Sequence, residues 1–298
     1  MAPQADTKGL ISTFLAYGLW GFFPLYFLLL DASGAIEIVA HRTVWTLVFC
    51  IIGVTVVAGW GRVREVFSSR RLVATLILAG AFLSVNWLIY IYAVLTDRVV
   101  DGALGYFINP LVTVALAVTI QKEKVRPAQV AALLIGLAAV LVIAVGVGHV
   151  PWIGLGLAFS FGFYTLAKSK VGHRVTAFIG LGAEMVAVIP LALGFIIYLQ
   201  IAGTGTFTTV SGWYTLALMG TGVVTAVPLL LFAIGAARLP MVTLAFMQYI
   251  APILQFLVGV VILREEMPVA RWIGFILIWI ALIVLSWDIV RRARTRAA

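Results

Sequence analysis

Three ionisable side chains, Glu37, His41 and Arg42, stand near the start of a segment, about 35–60, that is otherwise apolar and long enough to cross a bilayer. A charge at bilayer depth costs about 2.5–3.5 kcal/mol on insertion scales, so such residues usually face a cavity lined by protein. On a helix, Glu37 and His41 fall about 40° apart, one turn above each other, and can form a hydrogen bond. Arg42 can pair with Glu37 or offer its planar guanidinium to a ligand carboxylate. The alternative is that the three side chains reach back to the lipid headgroups.

Glu184 is the second acidic residue expected well inside an apolar segment. It lies about 14 Å along a helix predicted to begin near residue 175, at 1.5 Å per residue, and its segment contains no basic residue. Desolvation favours the neutral form of an unpaired carboxyl, so Glu184 is a candidate for proton coupling or for a hydrogen bond to a solute. A bond to the backbone of a neighbouring helix is the structural alternative. The acids near segment ends are expected to be solvated, namely Asp31, Asp97, Asp101, Glu123, Glu265, Glu266 and Asp288.

The composition is that of an integral membrane protein. Of 298 residues, 63% are hydrophobic and 10% are charged, and the mean hydropathy is +1.16, whereas soluble domains carry about 25% charged residues. The net charge of +9 does not indicate a nucleic-acid partner, because the basic residues lie in short loops and the tail without a basic stripe or interleaved aromatics. A single cysteine, Cys50, and three scattered histidines argue against an intrachain disulfide, a metal site or a metal cofactor.

Apolar runs of about 20 residues predict an all-α polytopic protein with ten membrane-spanning helices. The predicted ranges are 9–30, 35–59, 72–95, 100–121, 128–147, 152–168, 175–199, 212–236, 240–263 and 272–290. The first is too long for a signal-peptide core and is followed by a second span, so it is predicted to be retained. Prolines inside spans interrupt backbone hydrogen bonds and kink a helix. The candidate hinges are Pro24, Pro110, Pro228 and Pro252.

The distribution of lysine and arginine predicts the orientation. If the N-terminus is inside, 16 of the 20 basic residues fall on the cytoplasmic side, and the opposite side holds only Arg98, Arg264 and Arg271. Arg42 lies within the membrane. By the positive-inside rule, both termini are predicted to be cytoplasmic.

The two halves of the chain resemble each other. Asn109-Pro110 and Glu123 in the first half match Ala251-Pro252 and Glu265 in the second half. Each residue of the second set lies 142 positions after its match. Gly182-Ala183-Glu184 resembles Gly34-Ala35-Ile36-Glu37 with a one-residue gap, which makes Glu184 the expected counterpart of Glu37. Five crossings per repeat would give the repeats, 8–147 and 152–292, opposite orientations, and 1–7 and 293–298 would be tails. Inverted repeats with proline-broken helices are typical of secondary transporters.

Several motifs carry a family resemblance. In chain order they are Trp20-Gly21 with Pro24; Glu37-Ile38 with His41-Arg42 and Trp45; Asn86-Trp87-Leu88; Leu104 through Leu111; Leu157 through Phe161 with Phe163-Tyr164; Glu184; Val227-Pro228-Leu229-Leu230 with Phe232; Arg238-Leu239; and Gln248-Tyr249-Ile250 with Pro252. Together they resemble the EamA branch of the drug/metabolite transporter superfamily, and within it the RarD-type permeases, over about residues 8–292. The chain departs from that pattern at Lys122-Glu123, where a Gly-Glu pair is usual, and at Lys168-Ser169-Lys170, where Arg-Lys is usual.

The resemblance implies a ten-helix, two-repeat carrier in the bacterial inner membrane, with both termini cytoplasmic. Members move small metabolites and drugs, and the RarD type is associated by name with chloramphenicol. The expected ligand is therefore a small organic solute, such as an aromatic amino acid or an amphenicol-like drug, and the lipid bilayer is the other partner.

Polar and aromatic side chains in the apolar segments are the remaining candidates for lining a path, because they tend to face protein rather than lipid. They are Trp20, Asn86, Trp87, Tyr106, Asn109, Tyr164, Gln248 and Tyr249. For each aromatic, packing or an interfacial belt is the alternative.

The leading hypothesis is a secondary-active carrier, an exporter, that works by alternating access at a midplane site and is coupled to protons. No nucleophile elbow, phosphate-cradling loop or nucleotide motif appears in the sequence, so transport would run on gradients and no enzymatic activity is expected. The alternative is a non-transporting membrane protein, either a lipid-acting enzyme or a sensory or structural partner. The sequence leaves the oligomeric state open.

Overall fold

The computed structural model describes residues 6–120, 122, 126–171, 175–239 and 241–297, and the regular structure within them is helical. The helices are α1 Thr7–Gly21, α2 Phe23–Leu28, α3 Ala35–Gly53, α4 Trp60–Ser68, α5 Arg70–Leu95, α6 Val99–Thr119, α7 Pro127–Val147, α8 Trp152–Val171, α9 Ala177–Ile201, α10 Gly212–Ala236, α11 Met241–Met247, α12 Ile250–Leu257 and α13 Val269–Ala297. Single π-helical turns, Val54–Ala58 and Val258–Ile262, extend α3 and α12. The predicted all-α class is confirmed.

Seven helices in the described part of the chain are long and apolar enough to cross a membrane. They are Ala35–Val56, Arg70–Leu95, Val99–Thr119, Pro127–Val147, Ala177–Ala202, Gly212–Ala236 and Val269–Asp288. The predicted segment 9–30 is divided into α1 and α2, and the predicted segment 240–263 into α11, α12 and a π-helical turn. The short helix α4 was not predicted, and α8 extends beyond its predicted end at 168. Glu123, the expected counterpart of Glu265, lies outside the described residues, as do residues 1–5 and 298 of the tails.

The ends of the helices follow local chemistry. Asp6 caps α1 by accepting from the backbone N–H groups of Lys8 and Gly9. Arg238 donates to the same carboxylate at 3.0 Å, and this bond holds the pKa of Asp6 below its usual value. Pro127 opens α7, where the missing N–H is harmless. Gly148, with φ of 84°, closes α7 in the left-handed conformation that glycine accommodates best.

α1 and α2 are separated at Phe22, and Pro24 lies in the first turn of α2. Proline has no N–H to donate to the carbonyl four residues earlier, so the Trp20 carbonyl oxygen is released from the helical ladder. The Gln255 side-chain amide of α12 donates to that oxygen at 3.0 Å. The break between α11 and α12 at 248–249 precedes Pro252, whereas α6 and α10 continue through Pro110 and Pro228. A hinge role for these four prolines remains a prediction.

The main packing pairs join helices before residue 150 to helices after it. They are α1–α10, α1–α12, α3–α9, α3–α10, α5–α8, α5–α9, α6–α8, α6–α12 and α7–α13. The core is therefore built between the two halves of the chain.

Two glycines allow close backbone crossings between the halves. A Cβ at Gly80 of α5 would lie 2.4 Å from the Glu184 carbonyl oxygen of α9, and a Cβ at Gly222 of α10 would lie 2.4 Å from the Trp45 carbonyl group of α3. Gly80 and Gly222 are 142 residues apart. Both crossings bring a helix against the element that carries one of the buried charges described below.

Candidate functional site

Arg42 is buried in an aromatic setting between α2, α3, α5 and α10. Its guanidinium carbon lies 3.9 Å from the centroid of the Trp87 ring and 5.3 Å from that of Phe27, and Nε donates to the Thr225 hydroxyl at 2.8 Å. Stacking of a guanidinium on an aromatic face stabilises a desolvated cation by about 2 kcal/mol or more. The predicted ion pair between Arg42 and Glu37 is not formed, because Glu37 has other partners.

Glu37 fastens the loop between α9 and α10. One of its carboxylate oxygens accepts from the backbone N–H of Thr206 at 2.7 Å and from the Thr206 hydroxyl at 3.0 Å. The same hydroxyl lies 2.5 Å from that of Ser33, which lies 2.6 Å from that of Tyr214. All four residues are buried. The start of α3 is thus tied to the second half of the chain.

His41 does not form the predicted hydrogen bond with Glu37. Its ring instead stacks on Phe207, with centroids 4.7 Å apart, in the loop that Glu37 holds. Its Nε2 atom and the Nε1 atom of Trp45, one turn further along α3, are buried without a hydrogen-bond partner in the described part of the chain.

Asn86 of α5 joins three helices. Its amide nitrogen donates to the Leu157 carbonyl at 3.1 Å and to the Ser160 hydroxyl at 3.0 Å, and its oxygen accepts from the Tyr106 hydroxyl at 3.2 Å. These bonds satisfy most of the capacity of the amide, so Asn86 and Tyr106 act first as a link between α5, α6 and α8. The Tyr106 ring lies 5.6 Å from that of Tyr90, whose hydroxyl is buried without a partner among the described residues.

Glu184 is fully buried in α9, and the expectation that it lacks a basic partner is wrong. Lys168, in the last turn of α8, forms an ion pair with one carboxylate oxygen, while the other has no hydrogen-bond partner among the described residues. The Tyr164 ring centroid lies 5.8 Å from the lysine Nζ, so Tyr164 stands beside this ion pair. The predicted candidates Tyr164 and Glu184 are therefore brought together, with Lys168 as a third member.

The remaining candidates lie in other surroundings. Trp20 packs with Tyr17 and Phe232 in an aromatic group, with ring centroids 5.3–6.0 Å apart. The side-chain oxygen of Asn109 is buried without a partner in the described part of the chain. Gln248 and Tyr249 stand at the break between α11 and α12, and Tyr249 packs against the core around α7 and α13.

Three acids expected to be solvated are engaged instead, and one of them, Asp288 of α13, forms an ion pair with Arg126. Asp101 is buried at the start of α6 and pairs with Arg98 at 3.0 Å and with Arg271 at 3.2 Å. Glu265, in the loop before α13, accepts from the backbone N–H groups of Val99 and Val100 at the N-terminus of α6. Burial raises the pKa of Glu265, and these two donors oppose that shift. This arrangement fastens one end of α6 to the second half of the chain.

The sequence interpretation missed several partners. They are Lys168, Thr206, Phe207, Thr225 and Gln255. Lys168 was assigned to a cytoplasmic turn because its predicted helix ended there, and the need of Glu184 for a counter-ion was the available signal. The others are common polar or aromatic residues, and no local sequence pattern distinguishes them from similar residues elsewhere in the chain.

These groups form hydrogen bonds, ion pairs and ring contacts. Within the described residues, no group of three or more histidine, cysteine or acidic side chains is placed to hold a metal ion. Two of the buried charged residues, Arg42 and Glu184, lie on α3 and α9, which pack against each other.

Comparison with known proteins identifies the family. The chain is 43% identical over 297 residues to Protein RarD of Streptomyces exfoliatus, covering 100% of this chain and 94% of that protein. It is 38% identical over 299 residues to the uncharacterized transporter YojE of Bacillus subtilis, covering 98% of both. The chain belongs to the RarD-type permeases of the drug/metabolite transporter family. It is a multi-pass bacterial membrane transporter, and the resemblance drawn from the sequence motifs is confirmed.

The permease also shares its fold with a protein of known structure. A crystal structure with 21% sequence identity superposes with a TM-score of 0.60 over 94% of this chain and 98% of the other. No family model matches the permease.

Proposed function

We propose that this permease is a secondary-active carrier, an exporter, of small organic metabolites or drugs. It would alternate between inward- and outward-open states about a midplane site between two inverted repeats, 8–147 and 152–292. The positive-inside distribution of charge supports a bacterial inner-membrane location with both termini in the cytoplasm.

The spacing of the helices supports the two repeats. Four helix starts in the first half have counterparts 142 residues later, at the starts of α9, α10, α11 and α13. On this register the packing pair α1–α10 corresponds to α5–α8, α3–α10 to α5–α9, and α1–α12 to α6–α8. In the pairs α3–α9, α6–α12 and α7–α13, each helix packs against its own counterpart in the other half. A two-fold relation between halves with opposite orientations accounts for this pattern.

The same register revises the correspondence of the buried charges. Because α3 starts at Ala35 and α9 at Ala177, Glu184 corresponds to Arg42, and Glu37 corresponds to Ile179. The observation that carries the proposal is this pair of buried, oppositely charged residues at equivalent places on α3 and α9. Intramembrane ionisable residues that face the protein interior mark substrate and ion pathways.

The roles of the candidate residues follow from their surroundings. Arg42, Trp87 and Tyr106 would contact the solute, and Glu184 with Lys168 and Tyr164 would exchange the coupling proton. Glu37 would hold its neighbours in place. The solute would be flat and moderately polar, such as an aromatic amino acid or an amphenicol-like compound.

Purified permease in liposomes tests this proposal. Uptake of aromatic amino acids and of amphenicol-like compounds is measured with and without an imposed proton gradient. We expect gradient-dependent uptake of at least one class, and we expect Glu184→Gln to remove its dependence on the proton gradient. Gradient-dependent uptake that is unchanged in Glu184→Gln would refute the coupling role. The absence of transport under every gradient would refute the carrier.

A further inference from the structure

Arg42 is a buried cation whose counter-charge is absent from its surroundings. Its side chain is 4% exposed, and within the described part of the chain it takes part in no ion pair. Its single hydrogen bond there, from Nε to Thr225, uses one of five N–H donors. The nearest acid along α3, Glu37, is committed to Thr206. A buried charge is well tolerated only when it is paired and its remaining donors are satisfied.

The groups around Arg42 are short of hydrogen-bond acceptors. The Tyr90 hydroxyl, in a residue that is 3% exposed, has no partner among the described residues, and Phe27 contacts both the Tyr90 ring and the Arg42 guanidinium. The buried Nε1–H of Trp45, three residues after Arg42 on α3, is likewise unpartnered there, and residues three apart are neighbours on a helix surface. Each of these groups can donate to a carboxylate.

Aromatic rings form the rest of the surroundings. Trp87, Phe27 and Phe23 place their ring centroids 3.9, 5.3 and 5.7 Å from the guanidinium carbon. Such surroundings suit an apolar ring attached to the anionic group, because ring–ring contacts add to the charge interaction.

The second half of the chain supplies a contrast. The residue that corresponds to Arg42, Glu184, has its counter-ion within the chain, Lys168. Arg42 has none in the described part, so its counter-charge must come from elsewhere. We propose that Arg42, Tyr90 and Trp45 bind the carboxylate of an aromatic carboxylate solute, with its ring among Phe23, Phe27 and Trp87. This inference rests on the proposed carrier function and specifies its substrate class as anionic rather than neutral.

A pair of matched ligands tests the charge requirement. Phenylacetate and phenylacetamide share a ring and nearly the same shape, and they differ in charge. In calorimetric titrations of the detergent-purified permease, we expect phenylacetate to bind at least about tenfold more tightly than phenylacetamide. Equal binding of the two probes, or binding of neither, would overturn the proposal.

Variants assign the preference to Arg42. Arg42→Gln should reduce the preference for the carboxylate to less than about twofold while leaving the affinity for the amide nearly unchanged. Arg42→Lys keeps the charge but not the planar fork, so it should retain part of the preference. Arg98→Gln removes one positive charge from an ion pair at a helix end and should leave the preference intact.

A preference that persists in Arg42→Gln would assign the anion site elsewhere and overturn the proposal. If Arg42→Gln does not yield a monodisperse protein, the comparison of wild type with Arg42→Lys decides the question, and an undiminished preference in Arg42→Lys would count against recognition by the fork.

The liposome assay separates this inference from the carrier proposal. Gradient-driven transport of neutral amphenicol-like compounds without any carboxylate preference would overturn the anion site and leave the carrier standing. Specific phenylacetate binding through Arg42, without transport of any solute under any gradient, would refute the carrier and leave the anion site standing.

Discussion

Lys168 and Glu184 form an ion pair whose two ends lie in different surroundings. The glutamate side chain is fully buried, while the lysine side chain is 35% exposed. Removal of one partner from a buried pair leaves the other charge unpaired, and the penalty depends on whether that charge can reach water. The asymmetry therefore gives the two single variants different consequences.

We expect Lys168→Met to destabilise the permease more than Glu184→Gln does. The loss should be roughly 2 kcal/mol, below the 3–5 kcal/mol typical of fully buried pairs because one end is partly hydrated. After loss of Glu184, Lys168 can turn toward solvent and the effect should be small. The thermal denaturation midpoint in detergent measures both, with the double variant as the control. Equal effects of the two single variants would contradict this view of the pair.

At the scale of elements, the crossings at Gly80 and Gly222 determine how closely α5 approaches α9 and α10 approaches α3. The atoms that meet each glycine are backbone or near-backbone atoms, which cannot turn aside as the end of a flexible side chain can. The distance between the helices, and with it the seating of Arg42 and Glu184, depends on the absence of a Cβ at these positions.

Gly80→Ala and Gly222→Ala should each lower the denaturation midpoint, with a loss of about 1–3 kcal/mol from overpacking. Gly194→Ala in α9 is the matched control, because no heavy atom outside its own helix lies within 4 Å of the new Cβ. That change should be neutral or should stabilise the helix by up to about 1 kcal/mol. A Gly80→Ala variant as stable as Gly194→Ala would show that the crossing is looser than described.

The loop between α9 and α10 combines local hydrogen bonds with contacts to the first half of the chain. Its residue Thr206 contributes two donors to Glu37, and its residue Phe207 stacks on His41. Hydrogen bonds to a charged group contribute about 1.5–3 kcal/mol, so the carboxylate is the strongest of these contacts.

Glu37→Gln should loosen this loop while leaving the helices folded. We expect hydrogen exchange at the Thr206 amide to accelerate roughly five- to tenfold, which corresponds to about 1 kcal/mol. Asp31→Asn, at an exposed position near the same end of α3, serves as the comparison. Unchanged protection over residues 202–211 in Glu37→Gln would mean that the other contacts hold the loop without the carboxylate.

At the scale of the whole molecule, the halves are joined through most of their helices, and alternating access would require some of those contacts to open. Ser33 and Thr206 belong to different halves and their hydroxyl oxygens lie 2.5 Å apart. This spacing is compatible with a disulfide of about 2.05 Å between cysteines at the same positions. Cys50 is the only native cysteine, which simplifies the design.

Ser33→Cys with Thr206→Cys, in a Cys50→Ala background, should lock this end of the permease. Oxidation should reduce transport by about tenfold or more, because the two halves could no longer separate there, and reduction should restore it. Each single cysteine variant should be insensitive to the oxidant. Full transport by the cross-linked protein would indicate that this contact does not open during the cycle.

The amino-acid sequence was sufficient to predict the class of the protein and its family. Hydropathy over about 20 residues is a local property, and water-free surroundings require helical backbone, so the membrane class and most helix ranges could be predicted. The buried trio of α3 and the isolated acid of α9 were also recognisable, because a charge in an apolar run is conspicuous in one dimension. The 142-residue spacing was visible in the motifs, but the one-residue gap that paired Glu184 with Glu37 is not favoured by the helix starts.

Which side chains contact each other is known only from the packed helices. Glu37 bonds to Thr206, Arg42 lies over Trp87 and Glu184 pairs with Lys168. The first two partners are 169 and 45 residues away in the chain and the third belongs to the preceding helix. Helical periodicity specifies which residues share a face, but it does not specify which other helix covers that face. That choice arises from the packing of all the helices together, including the glycine crossings and the carbonyl released by Pro24.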